Sequence, residues 1–274
     1  MVSASIVLFK TPAPHIERLL NCLKNCIFID RVIVIDNSPY PSNLNFNNWP
    51  FVEYIKSDNC GYGAAHNLAI KRVMDESKFH FVLNPDIYFE PGQLEKLMFR
   101  ISRDIEIGLL MPKVLYPNGA VQFLCKLLPT PLNLLIRRFP IPLFSKFINK
   151  INSDYELRFT GYSQEINSPT LSGCFMLLRV SALKAVGLFD ERYFMYAEDI
   201  DLSRRIHASY KTIFFPDAIV YHEYGKTSYK NYRALFLHIS SVIKYFNKWG
   251  WFIDRERKSI NNKILSLYDC NGDY

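Results

Sequence analysis

Three acidic clusters and one histidine stand where chemistry could be done. Asn84-Pro85-Asp86 closes the apolar run Phe79-His80-Phe81-Val82-Leu83. Pro85 has no N–H to give a ladder, so a strand must stop there. Asn84 and Asp86 are then left at the carboxyl end of a buried strand, where open α/β sheets bind ligands. A carboxylate in that place suits a hard divalent metal holding a diphosphate. The same residue types also make ordinary turns, and this stretch alone fits either description. Asp36 repeats the arrangement, with Val32-Ile33-Val34-Ile35 running into Asp36-Asn37-Ser38-Pro39. Taken by itself it reads as a turn. The third cluster, Glu198-Asp199-Ile200-Asp201, puts three acids at the start of a helix. Acids there complement the helix dipole, and Asp201 is spaced to pair with Arg205. Those effects account for Asp201. They leave unexplained the aromatic Tyr193-Phe194 and Tyr196 before the cluster. A carboxylate in an aromatic-walled cleft is desolvated, which moves its pKa toward that of a working general base. His222 ends a strand and fits a metal or phosphate ligand, or a plain hydrogen-bonding partner.

These groups need a frame that brings strand ends together. Apolar runs and helical spacings predict a strand over 3–9 and a helix capped by Thr11 with Ile16, Leu19, Leu20 and Leu23 inward. Strands follow at 31–35 and 51–56, a helix at about 64–74, a strand at 79–83, and a helix begun near Pro91. Between the third strand and its helix lie Asn59-Cys60-Gly61-Tyr62-Gly63. Small residues before a helix N-terminus let the backbone approach phosphate, although a simple loop-to-helix turn also explains them. The alternation predicts an α/β fold, a Rossmann-like, mainly parallel sheet flanked by helices. Further strands are expected at 107–113 and 168–179, the latter with Gly173 near its entry, where a glycine marks a close approach. A short helix at 180–186 comes next, then strands at 211–215 and 218–221 around a Pro216-Asp217 turn. A C-terminal amphipathic helix is expected at 229–249, with Tyr232, Leu235, Phe236, Ile239, Val242, Ile243 and Phe246 on one side and a peripheral tail from Asp254.

The chain has 274 residues and a formal charge of +7, and 49% of it is apolar. That supports a sizeable core and argues against disorder. The charge fits nucleic acid, anionic lipid or a phosphorylated substrate, but no nucleic-acid-binding motif is present. No run of about 18 apolar residues suggests a membrane span, and Met1 to Phe9 does not read as a signal peptide. Six scattered cysteines form no zinc set, and reduced thiols of a cytosolic protein are expected. Two long stretches lack acids but hold several bases, 107–153 and 224–253. In the first, Leu127 to Phe147 reads either as a loop-rich insertion packed on the domain or as a segment lying on anionic lipid. The second presents a basic amphipathic face, which fits packing or membrane contact.

With those residues in view, the chain resembles the family 2 glycosyltransferases of the GT-A fold, and among them bacterial rhamnosyltransferases of surface polysaccharide synthesis. Gly173-Cys174-Phe175-Met176-Leu177-Leu178-Arg179, Gly187-Leu188-Phe189-Asp190 and Phe194-Met195-Tyr196-Ala197-Glu198-Asp199-Ile200-Asp201-Leu202 carry the resemblance. Val32 to Ser38, Leu83 to Asp86 and His222-x-x-Gly225 fit the same pattern. The resemblance implies a catalytic domain over 1–224, with a nucleotide-sugar half to about 113 and an acceptor half after it, and a basic helix and tail over 225–274. It implies that Asp36, Asn37, Asn59, Gly61, Gly63, Asn84 and Asp86 bind the donor, that Asp86 and His222 meet Mg2+ or Mn2+, and that Asp199 is the base, with Glu198 beside it as the other catalytic candidate. Gly173 and Glu198 would border the acceptor. The donor would be dTDP-rhamnose and the acceptor a polyprenyl-diphosphate-linked saccharide at the cytoplasmic face of the inner membrane. A homo-oligomer is left open. Asn84 departs from the family's Asp-x-Asp pattern by removing one negative charge. A nucleotidyltransferase and a non-catalytic basic module are the other readings. The first lacks its glycine-rich phosphate loop after strand one, and the second leaves Asp36, Asp86 and Asp199 without a joint purpose.

Overall fold

The computed structural model describes residues 1–138, 145–223 and 232–268. Its strands and helices alternate from the start: β1 (Val2–Leu8), α1 (Ala13–Lys24), β2 (Arg31–Asp36), β3 (Val52–Lys56), α2 (Tyr62–Val73), β4 (Phe79–Leu83), β5 (Ile87–Tyr88) and α3 (Gln93–Arg103). Then come β6 (Ile107–Leu115), β7 (Cys125–Lys126), α4 (Pro131–Arg138), α5 (Ser145–Tyr155), β8 (Ile166–Asn167), β9 (Thr170–Leu171), β10 (Phe175–Arg179) and α6 (Val180–Val186). The last are α7 (Glu198–His207), β11 (Lys211–His222), α8 (Tyr232–Trp249) and α9 (Arg255–Tyr268).

The main sheet runs β3-β2-β1-β4-β10-β6-β11-β5. Its first four strands are parallel. Their apolar residues alternate between two buried faces, as a sheet covered on both sides requires. Ile6, Leu8, Val32 and Val34 face Ile16, Leu19, Leu20 and Leu23 of α1, while Val7, Ile33 and Ile35 face Ala65, Ala69 and Val73 of α2. Beyond β4 the sheet is mixed. β10 lies antiparallel to β4, with Phe175 opposite Leu83. That reversal matters for function, because it brings the residues just before β10 to the carboxyl end of β4. β11 is parallel to β6 and antiparallel to β5, with His222 opposite Ile87. His222 is thereby delivered next to Asp86.

Several local expectations change. Thr11 does not cap α1. Pro12 takes the cap position, and Thr11 Oγ1 accepts from the Phe9 N–H instead. The 168–179 stretch divides into β9 and β10, parted at Ser172-Gly173-Cys174. Pro216-Asp217 is no turn between strands: β11 runs through it, with a register irregularity between Phe215 and Ile219 absorbing the proline. Within 127–147, α4 and the start of α5 form, and Leu127 and Leu128 are buried. The tail from Asp254 is not peripheral, since Arg257 and Ile264 of α9 are buried. On α8 the buried side is Ser241, Tyr245 and Phe246, whereas Phe236, Ile239 and Ile243 are exposed. Gly225, Lys226, Thr227, Ser228, Tyr229 and Cys270 lie outside the described residues. The described cysteines are free thiols, and no described helix is long and apolar enough to cross a membrane.

Candidate active site

The site forms where β4, β10, β11 and α7 end or begin together. Asn84 follows β4 directly, and its N–H donates to the Cys174 carbonyl at 2.9 Å, which seats Gly173 beside it. Tyr62 fastens the arrangement. Its hydroxyl contacts Gly173 O at 2.7 Å and Asn84 Oδ1 at 3.0 Å. The Gly173 N–H donates to Asp199 Oδ2 at 2.9 Å, and Asp199 Oδ1 accepts the Ile200 N–H at 2.8 Å. A side chain at 173 would press on Asp199, since a Cβ there would sit 3.2 Å from the Asp199 Cβ. Asp199, Gly173, Tyr62, Asn84 and Asp86 therefore share one cleft.

The three acids of α7 now separate. Asp201 is fully buried and paired with Arg205 at 2.8 Å, Lys248 at 2.6 Å and the Trp249 indole at 2.8 Å. It is a structural acid, as its helix position suggested. Glu198 is buried with Oε2 lacking a hydrogen-bond partner. Burial first, and the Asp199 charge second, push its carboxyl well above the ordinary range. Asp199 is the partly accessible one. Ahead of α7, Tyr196 and Ala197 both adopt left-handed backbone, φ 70° and 65°. Two consecutive non-glycine residues there store strain, and they set how the helix enters the cleft.

On the other wall, Asp86 Oδ1 lies 3.2 Å from His222 Nε2 and is itself buried with no hydrogen-bond donor. Asn84 Nδ2 is 3.3 Å from the same ring nitrogen. An undonated carboxylate oxygen facing an imidazole nitrogen fits a divalent cation, and oxygen with imidazole suits Mn2+ or Mg2+. Among the described residues no group of three or more His, Cys, Asp or Glu could hold a metal.

The remaining residues line the approach from β2 and β3. Asp36 is fully buried: Oδ1 accepts the Ser38 N–H, and Oδ2 accepts the Ser42 N–H and the Tyr54 hydroxyl. Burial opposes its charge, but those hydrogen bonds outweigh burial and hold the carboxyl below its usual range. Asn37 reaches Asn59 and the Gly61 carbonyl at 3.4 Å and keeps a buried Oδ1 without a donor. Gly61 has φ 95°, and a Cβ there would fall 2.2 Å from the Phe194 carbonyl oxygen. Only glycine lets this loop dock on the segment ahead of α7. Gly63 is a packing glycine, facing Phe189 and Glu198. Sequence reasoning passed over Tyr62 and Gln122, which contacts His222. Their partners lie 111 and 100 residues away, so no local spacing signals them.

The layout is that of a GT-A glycosyltransferase. The structure aligns with GalNAc-T7 crystallised with UDP, GalNAc and Mn2+ at a TM-score of 0.63, 15% identity, 97% of this chain and 58% of that one. This chain thus spans little more than half of that protein. No family model matches the sequence. It is 31% identical, over 77% of its length and 73% of the relative, to the N-acetylglucosaminyl-diphospho-decaprenol L-rhamnosyltransferase of Mycobacterium tuberculosis. It is 27% identical to rhamnosyltransferase WbbL of Escherichia coli K12, over 71% of this chain and 73% of that one. The chain belongs to the rhamnosyltransferase-like family 2 glycosyltransferases. That membership sets aside the nucleotidyltransferase and binding-module readings.

Proposed function

We propose that the enzyme transfers L-rhamnose from dTDP-rhamnose, with inversion, to a hydroxyl of a polyprenyl-diphosphate-linked saccharide in surface polysaccharide (O-antigen) synthesis. The carrying observation is the double contact of Tyr62, which ties Asn84 of the Asn84-Pro85-Asp86 turn to the Gly173 that holds Asp199. The candidate base and the candidate metal acid thereby flank one space. The sugar follows the names of both relatives, and the acceptor that of the mycobacterial one. In this account Asp36, Asn37, Asn59, Gly61 and Asn84 form the donor side, and Gly63 packs behind them. Asp199 takes the proton of the acceptor hydroxyl, and that oxygen attacks the anomeric carbon as the bond to the diphosphate breaks. Glu198, buried beside Asp199, borders the acceptor with Gly173. Asp86 and His222 would hold Mg2+ or Mn2+, which supplies Lewis-acid neutralisation of the leaving diphosphate.

A lipid-linked acceptor puts the enzyme at the cytoplasmic face of the inner membrane. An exposed apolar ribbon supports this: Phe236, Ile239 and Ile243 along α8, then Trp251, Phe252 and Ile253. Trp251 continues the α8 face, since its indole donates to Asn247 Oδ1 at 2.8 Å. No acid occurs over 224–253, which favours anionic lipid. Ser241 Oγ donates to the Met195 carbonyl at 2.8 Å, so α8 rests on the segment that leads into Glu198-Asp199. Sedimentation with anionic vesicles should fall when Phe236 and Ile243 are both changed to Ser. Unchanged binding would remove the ribbon from the account.

A thermal-shift panel of nucleotide sugars with Mn2+, each repeated with EDTA, tests the donor. A ligand at 100 times its Kd stabilises the fold by about 2.7 kcal/mol. A metal-dependent shift with dTDP-rhamnose, absent with UDP- and GDP-sugars, is expected. A shift with another donor alone would discard rhamnose.

A further inference from the structure

The hydrogen bonds of Gln122 decide which nitrogen of His222 carries its proton. Gln122 is buried, and its Nε2 lies 2.8 Å from the His222 carbonyl oxygen and 3.3 Å from that of Leu115. Carbonyl oxygens only accept, so this end of the side chain is the NH2 group. Its Oε1 is then the atom 3.0 Å from His222 Nδ1. An amide oxygen also only accepts, and so Nδ1 bears the hydrogen. When the ring is neutral its lone pair is therefore on Nε2, which faces Asp86 Oδ1 at 3.2 Å and the Asn84 side-chain amide at 3.3 Å.

We infer that Gln122 is a positioning residue, holding His222 as the Nδ1–H tautomer so that the Nε2 lone pair faces Asp86 as a ligand for the divalent cation. The inference rests on the proposed metal role of Asp86 and His222. The opposite tautomer would place a proton between the ring and Asp86 and close that nitrogen to a metal.

The test reads the ring directly. Long-range 1H–15N correlation spectra of the full metal-free chain, with His222 assigned through His222→Gln, should show the hydrogen of the neutral ring on Nδ1. A neutral wild-type ring with its hydrogen on Nε2 would overturn the proposal, whatever any variant does. In Gln122→Met the ring should shift toward the Nε2–H form. Mn2+ affinity, measured by electron paramagnetic resonance with inorganic pyrophosphate as a nucleotide-independent probe, should fall roughly 10- to 100-fold. A folded Gln122→Met chain with wild-type Mn2+ affinity would also overturn it. A wild-type chain with the Nδ1–H ring but no Mn2+ binding would instead overturn the metal role and leave the tautomer assignment standing.

Discussion

Strands β3, β2, β1 and β4 run parallel in unbroken register, and their contacts are mainly apolar. From β10 onward the sheet is mixed, β11 shifts register, and polar side chains from far along the chain make the ties. Arg204, on α7, is 2% exposed and binds Asp254 at 2.7 Å and Glu256 at 2.7 Å. Arg257 reaches the carbonyls of Pro129, Gly250 and Trp251. The first region is held as a layered core and the second as a set of latches. The difference places the rigid frame under the proposed donor side, and the charge-held elements around Asp199.

The comparison breaks first at Arg204. Its change to Met leaves the Asp254 carboxylate buried without its main partner, and losing one side of a buried pair costs about 3–5 kcal/mol. Urea denaturation should show that loss. A loss below about 1 kcal/mol would mean the latches matter little. Gly61→Ala comes next, because it joins the regions. Its backbone conformation and the overlap with the Phe194 carbonyl should cost about 3 kcal/mol and part the loop from the α7 entry. A neutral result would show that the two regions dock loosely.

Much of the first region was legible before the structure. Apolar runs and i, i+3, i+4 spacing located β1 to β4 and α1 to α3, because there local pattern and tertiary burial agree. Asn84-Pro85-Asp86 was readable because a proline must end its strand. The second region was less so. Pro216-Asp217 reads as a turn, yet β11 passes through it with an irregularity that only the neighbouring strand reveals. Strand β5 spans two residues, too few for any period. The amphipathic face of α8 was visible, but not that the motif's Phe246 is buried while Phe236 is exposed. Tyr62, Gln122 and Arg204 work through partners that folding alone brings near.

The smallest effect is a difference in pH response. In the first region His80 is bonded to Ser3 and Ser5, and His66 to Ser5. Burial holds His80 neutral down to about 3 and His66 well below its usual range. An unfolded histidine titrates near about 6.5. Below that pH the unfolded chain binds protons the folded rings refuse, so stability falls as pH drops. Glu198, in the second region, has the opposite sign. Its raised folded pKa means the folded chain holds a proton the unfolded chain has lost, so its cost grows as pH rises above about 4.3. Between pH 5 and 6, His80→Gln should flatten the acid limb of stability by about 1.4 kcal/mol per pH unit, whereas Glu198→Gln should steepen it. Urea melts across that window distinguish the two. Parallel curves for both variants and the wild type would contradict the assignment.

The central claim is that Asp199, alone among the acids opening α7, removes the acceptor proton. Single-turnover transfer in Asp199→Asn, measured beside donor binding with Mn2+, tests it most directly. The account predicts an unchanged donor Kd and a transfer rate lower by about 10²- to 10⁴-fold, with Glu198→Gln losing far less. Retained transfer in Asp199→Asn, or equal losses in both variants, would contradict it.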